Sequence, residues 1–107
     1  MKNIGKLLKQ AREMQAQMER LQETLAETKV EVSVGGGMVT LIGNGQHKVM
    51  SVSIEREVVN PDDVEMLEDL IVAAINDFHE KVEQLTREAM AQVAGDSVLP
   101  DGLLGGI

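Results

Sequence analysis

Apolar residues stand at Ile4, Leu7, Ala11, Met14, Met18, Leu21 and Leu25, spaced by threes and fours throughout. Three heptads with both seam positions filled are the signature of a helix packed against another helix. The period then changes. Val30, Val32 and Val34 alternate with Glu31 and Ser33, Met38 to Gly43 is a second β-rich run, and in Lys48 to Ile54 the pair Val52 and Ile54 alternates with Ser51 and Ser53. Three strands with one apolar face are expected. Gly35-Gly36-Gly37 marks the first reversal, and Asn44-Gly45, both tolerant of positive φ, predicts a type I′ turn at the second. Beyond it the helical period returns in Val64, Leu67, Ile71, Ala74, Ile75, Phe78, Val82, Leu85, Ala89 and Val93. Asn60-Pro61-Asp62-Asp63 is expected to open this helix, by an Asn cap, a Pro in the first turn and acids at the positive end, and Gly95 to stop it.

The fold class that follows is α+β: a long helix, a three-stranded antiparallel meander and a second long helix, in one domain over residues 1–94. Residues 95–107 form a Gly-rich tail without periodicity, expected to be flexible. At 1.5 Å per residue the last helix, of roughly 33 residues, is ~50 Å long, against ~20 Å for strands of six or seven residues. It must overhang the sheet with part of its apolar face uncovered. The first helix also has a seam in search of a partner, at Leu7, Met14, Met18, Leu21 and Leu25, so a homodimer with paired long helices is the economical arrangement.

Composition narrows the picture. One Phe, no Trp and no Tyr leave Val, Leu, Ile and seven Met to build an aliphatic, adaptable core. The absence of cysteine excludes disulfides and thiolate metal sites. Neither helical pattern forms the unbroken apolar run of ~20 residues that a membrane span needs, and the N-terminus shows no signal segment. A soluble, cytoplasmic protein without membrane contact is expected.

Charge changes it further. The net charge of −8 argues against nucleic acid until its distribution is read. Lys2, Lys6, Lys9 and Arg12 give the first twelve residues +4 without a single acid, and the rest of the chain carries −12. In the heptad phasing Lys2 and Lys9 fall at f, Lys6 at c and Arg12 at b, all away from the seam. A lysine face directed at water also suits an ordinary surface helix.

Nothing in the chain reads as catalytic. The triple glycine lacks GxxxxGK[ST] and enters a strand, whereas a phosphate loop opens a helix. His79 and Glu83 have the i, i+4 spacing of two metal ligands, but a metal site needs further convergent groups, and a solvated pair accounts for them. His47, beside the turn, reads as an exposed histidine. No Ser-His-Asp or Cys-His arrangement is present, and the carboxylates from Asp62 to Asp77 read as the first-turn acids and water-facing side of the last helix. No enzyme activity, cofactor, metal or small-molecule substrate is expected.

The segments KLLKQAREMQAQME, GGGMV followed by NG, MLEDLIVAAIND after a Pro-Asp start, and LPDGLLGG occur in an order that resembles the YbaB/EbfC family along the whole chain. The resemblance implies a bacterial nucleoid-associated protein without enzymatic activity, an intertwined, tweezers-like homodimer that binds duplex DNA with its helix tips. Carried over by position, it points to Lys2, Lys6, Lys9 and Arg12 on the first helix, and to Lys81 and Arg87 on the last. The chain departs from the family pattern at Thr40, Met50, Ser51, Phe78 and Glu80, where or near where members often carry bases, which lowers the expected affinity. The expected function is phosphate-directed DNA binding with little sequence preference. The alternative is an adaptor that recruits protein partners through its helices and tail.

Overall fold

The computed structural model describes residues 3–96, so Lys2 and residues 97–107 of the expected tail lie outside it. The elements are α1 (Asn3–Glu27), β1 (Lys29–Val34), β2 (Val39–Asn44), β3 (Val49–Ile54), a single 3-10 turn (Arg56–Val58) and α2 (Val64–Asp96). The strands form an antiparallel sheet in the order β1-β2-β3, as the alternating pattern predicts. The molecule is elongated, 73 × 27 × 16 Å.

α2 lies across β1 and β2. Val30 and Val32 of β1 and Val39 and Leu41 of β2 bury their side chains against Ala74, Phe78 and Val82, residues at the helical spacing that faces the sheet. Leu41 pairs with Val52, and Val39 with Ile54, so β3 presents its valine to the same face. Yet Val52 remains 52% exposed, because α2 does not reach over β3. On one flank of α2, Lys81 Nζ donates to the carbonyl oxygen of Glu31 on β1; on the other, His79 meets His47 after β2.

The first turn is the reversal expected at the triple glycine, and the second differs from its expected form. In the first, Gly35 and Gly36 have φ of 63° and 68°, and the Gly37 N–H closes the turn onto the Val34 carbonyl oxygen. Two central residues at positive φ are the hallmark of type I′, so that geometry occurs at the triple glycine. At the second turn the His47 N–H donates to the Asn44 carbonyl oxygen, and the residue in the left-handed region is His47, at φ 64°, not Gly45. The type I′ assignment at Asn44-Gly45 is thereby corrected. A tight turn followed by a left-handed residue gives a bulged hairpin, and a second irregularity shifts the register between Ile42 and Gly43, whose partners are Ser51 and Val49.

The reason lies in α1. Gly45 N–H donates to the carbonyl oxygen of Leu25 at 2.8 Å, Asn44 Nδ2 to that of Ala26 at 3.1 Å and Gln46 Nε2 to that of Gln22 at 2.9 Å. The carbonyls of Leu25 and Ala26 are among the last four of the helix, which lack an i+4 partner within it, and this turn supplies donors to them. A Cβ on Gly45 would stand 2.7 Å from the Leu25 oxygen. Glycine is therefore required here for close approach to the helix end.

α2 has the expected length of 33 residues but is displaced along the chain. Asn60 does not cap it. Asn60 Oδ1 accepts from Asp62 N–H and Asp63 N–H donates to the Asn60 carbonyl oxygen, which closes a turn ahead of the helix. Asp63 Oδ1 then receives the Met66 N–H at the capping position. At the far end Gly95 is helical, and the helix continues to Asp96.

Candidate nucleic-acid interface

α1 and α2 run antiparallel. The end of α1 is held at the β2–β3 turn near His79, and farther from the sheet Gln17, Leu21 and Thr24 face Ala89, Gln92 and Val93. Leu21 and Leu25 are buried there, Met14 and Met18 half-buried. The seam then runs out of partners: every residue from Asn3 to Glu13 is exposed, with Ile4 at 56% and Leu7 at 61%. The first turns of α1 project beyond the packed part of the chain.

Lys6, Lys9 and Arg12 sit on this projecting segment, all exposed. At 100° per residue they fall within a sector of roughly 120° opposite the seam. Among the described residues none of the three has an ion pair or a side-chain hydrogen bond. The first turn of α1 contains no acid, so its macrodipole, worth about half a positive charge at the N-terminus, adds to the lysines. A base in the first turn, here Lys6, opposes helix stability. A violation of a local rule on an exposed surface is the kind of feature that function explains better than folding.

The remaining surface has the opposite sign. α2 carries eight carboxylates against Lys81 and Arg87. Lys81 is exposed, but its ammonium is engaged with the Glu31 carbonyl and serves the joint between α2 and β1. Arg87 is exposed on α2, six residues on, and so points to a different side of the helix. The structure thus groups Lys6, Lys9 and Arg12 and leaves Lys81 and Arg87 outside that group. Among the described residues no cluster of three or more His, Asp or Glu is placed to hold a metal ion, and no helix is long and apolar enough to cross a membrane. Spacing could not reveal the meeting of His47 with His79, thirty-two residues apart, whose Nδ1 atoms lie 3.0 Å from each other.

The chain is similar to known proteins along nearly its whole length. A nucleoid-associated protein of Moorella thermoacetica is 48% identical over 94% of this chain and 96% of its own. One from Acetivibrio thermocellus is 46% identical over 87% of this chain and 82% of its own. Among solved structures, an uncharacterized protein from Helicobacter pylori matches with a TM-score of 0.64 and 26% identity, over 76% of this chain and 93% of that one. The model of the YbaB/EbfC DNA-binding family matches residues 1–97. With its helix, three-stranded antiparallel sheet and long helix, this chain belongs to the YbaB/EbfC DNA-binding family.

Proposed function

We propose that the protein acts in the nucleoid as a homodimer that grips duplex DNA by its phosphates through the basic poles of α1, with little reading of base edges. The observation that carries this is the position of Lys6, Lys9 and Arg12: unpaired, on one side of a projecting helix, in a chain of net charge −8. The acidic flank of α2 repels the duplex and confines contact to the tips. Lysine and arginine on an exposed helix side recognise phosphate charge, which is the same for every sequence. Dimerisation is supported by the apolar residues that the single chain leaves bare, Ile4, Leu7 and Leu8 on α1 and Val72 and Ile75 on α2. Two chains joined along α1 carry two poles, and bivalent attachment raises affinity without new contacts.

The test is a titration of duplex DNA at several salt concentrations. Eight engaged bases, four per chain with Lys2 counted, give a slope of log K against log salt of about −7, and half of them about −4. A slope near zero, or no binding at low salt, overturns the proposal in favour of recruitment of protein partners.

A further inference from the structure

We infer that His47 and His79 form a bidentate site for a divalent transition-metal ion of the imidazole-preferring class, such as Ni2+ or Zn2+, which staples the β2–β3 turn to α2. The two Nδ1 atoms are 3.0 Å apart, and the rings are tilted by 43° with centroids at 5.1 Å. Two nitrogens at 2.0–2.1 Å from one ion are about 2.9 Å apart at a right angle and about 3.3 Å apart at the tetrahedral angle. The observed spacing lies between these values. Without an ion, the short contact is a hydrogen bond in which one ring nitrogen donates and the other accepts. An ion bound by both nitrogens uses both lone pairs, and the donor ring moves its proton from Nδ1 to the solvent-facing Nε2.

Both rings stand on fixed backbone. His47 is held at φ 64° between Gln46 and Lys48, whose N–H groups both donate to Asn44 Oδ1. Asn44 itself is 6% exposed. His79 follows Phe78, which is fully buried against Gly43. The pair is therefore organised before any ion arrives, which lowers the entropic cost of binding. Both imidazoles are exposed, so an ion can reach them and water can fill its remaining positions. No third protein ligand converges among the described residues, so a modest affinity is expected. Imidazole ligands select nickel and zinc over magnesium, which prefers oxygen.

The experiment is a calorimetric titration of the full chain with NiCl2 and, separately, ZnCl2, with MgCl2 as control, repeated on His47→Asn and His79→Gln. Asparagine tolerates the left-handed region, so the first variant preserves the turn. One ion per chain is expected, with at least tenfold weaker binding in either variant and none for Mg2+. Broadening of the His47 and His79 ring proton resonances by Ni2+ in the unmodified protein locates the ion independently of how the variants fold. Absence of Ni2+ and Zn2+ binding at millimolar concentration overturns the inference. So does binding that survives in both variants, or equal binding of Mg2+, since either places the ion on carboxylates.

Discussion

Gly43 and Phe78 fit together as socket and plug: a Cβ on Gly43 would lie 2.5 Å from Phe78 Cζ. The only Phe in a chain without Tyr or Trp thus occupies space that the sheet leaves by omitting a side chain. It is fully buried there, between Ala74 and Val82 on α2.

Gly43→Ala forces the ring and the Lys48 carbonyl to retreat, and overpacking of this kind costs about 1–3 kcal/mol. Phe78→Leu removes part of the ring and leaves a partial cavity, a loss of about 1–2 kcal/mol by the methylene count. Since both act on the same volume, the double variant is expected to lose clearly less than the sum of the two. Urea denaturation of the four proteins measures the coupling; strict additivity would show that the contact does not set the packing.

Asn44 joins three parts of the chain through one buried side chain. It donates to Ala26 and accepts from Gln46 and Lys48. Asn44→Ala leaves a helix carbonyl and two N–H groups without these partners, a loss of about 2–4 kcal/mol at roughly 1 kcal/mol or more per bond. Asn44→Asp retains the acceptor but replaces the donor with a second oxygen facing the Ala26 carbonyl, and is expected to be no milder. Thermal unfolding of the two variants decides between a donor role and mere filling of space.

The architecture was legible in the sequence because each element has its own period. The spacing of threes and fours from Ile4 to Leu25, the alternation from Val30 to Val34 and the long repeat from Val64 to Val93 reappear as α1, β1 and α2. What the periods could not convey is where elements meet. Asn44-Gly45 satisfies local rules for a type I′ turn, but three carbonyls at the end of α1 compete for the same residues, and a tertiary contact outranks a local preference. His47 carries the positive φ as a result, and no local pattern announces a histidine in that role or its meeting with His79. Lys6, Lys9 and Arg12 were legible as a face because helical phase alone separates them from the seam.

Gly45 distinguishes the two accounts of that turn. Were it needed for positive φ, Gly45→Asn would be mild, since asparagine enters the left-handed region readily. Close approach to the Leu25 oxygen instead penalises any Cβ. Gly45→Asn and Gly45→Ala are therefore expected to destabilise alike, by about 1–3 kcal/mol. Melting temperatures that separate the pair, with asparagine near the parent, would restore the turn to type I′.

The bare seam gives a prediction about assembly. Leu7 is exposed in the single chain and lies on the same side of α1 as the buried Leu21 and Leu25. Leu7→Glu has no effect on a monomer, where the glutamate simply faces water. In a dimer joined along α1 it buries an unpaired charge, a cost of several kcal/mol, and dissociation at micromolar concentration is expected. Sedimentation velocity reads the difference, and a parent protein that sediments as a monomer would remove the premise.

The same helix, viewed from its other side, yields the functional prediction. Lys6, Lys9 and Arg12 avoid the seam, so their joint replacement by Gln is expected to leave circular dichroism, melting temperature and oligomeric state unchanged; glutamine has almost the helix propensity of lysine. DNA affinity is a different matter. Removing up to six phosphate contacts from a dimer flattens the slope of log K against log salt by up to about 5. The loss must be the same for duplexes of unrelated sequence, because phosphate contacts carry no base information. It must also shrink as salt rises, since the released counterions are what the lost contacts supplied. Lys81→Gln is the informative companion: its ammonium holds the Glu31 carbonyl, so it is expected to lower stability without altering the salt slope. If the triple variant binds as tightly as the parent while Lys81→Gln or Arg87→Gln weakens binding, the DNA contact lies on α2 and the N-terminal pole is ordinary solvated surface.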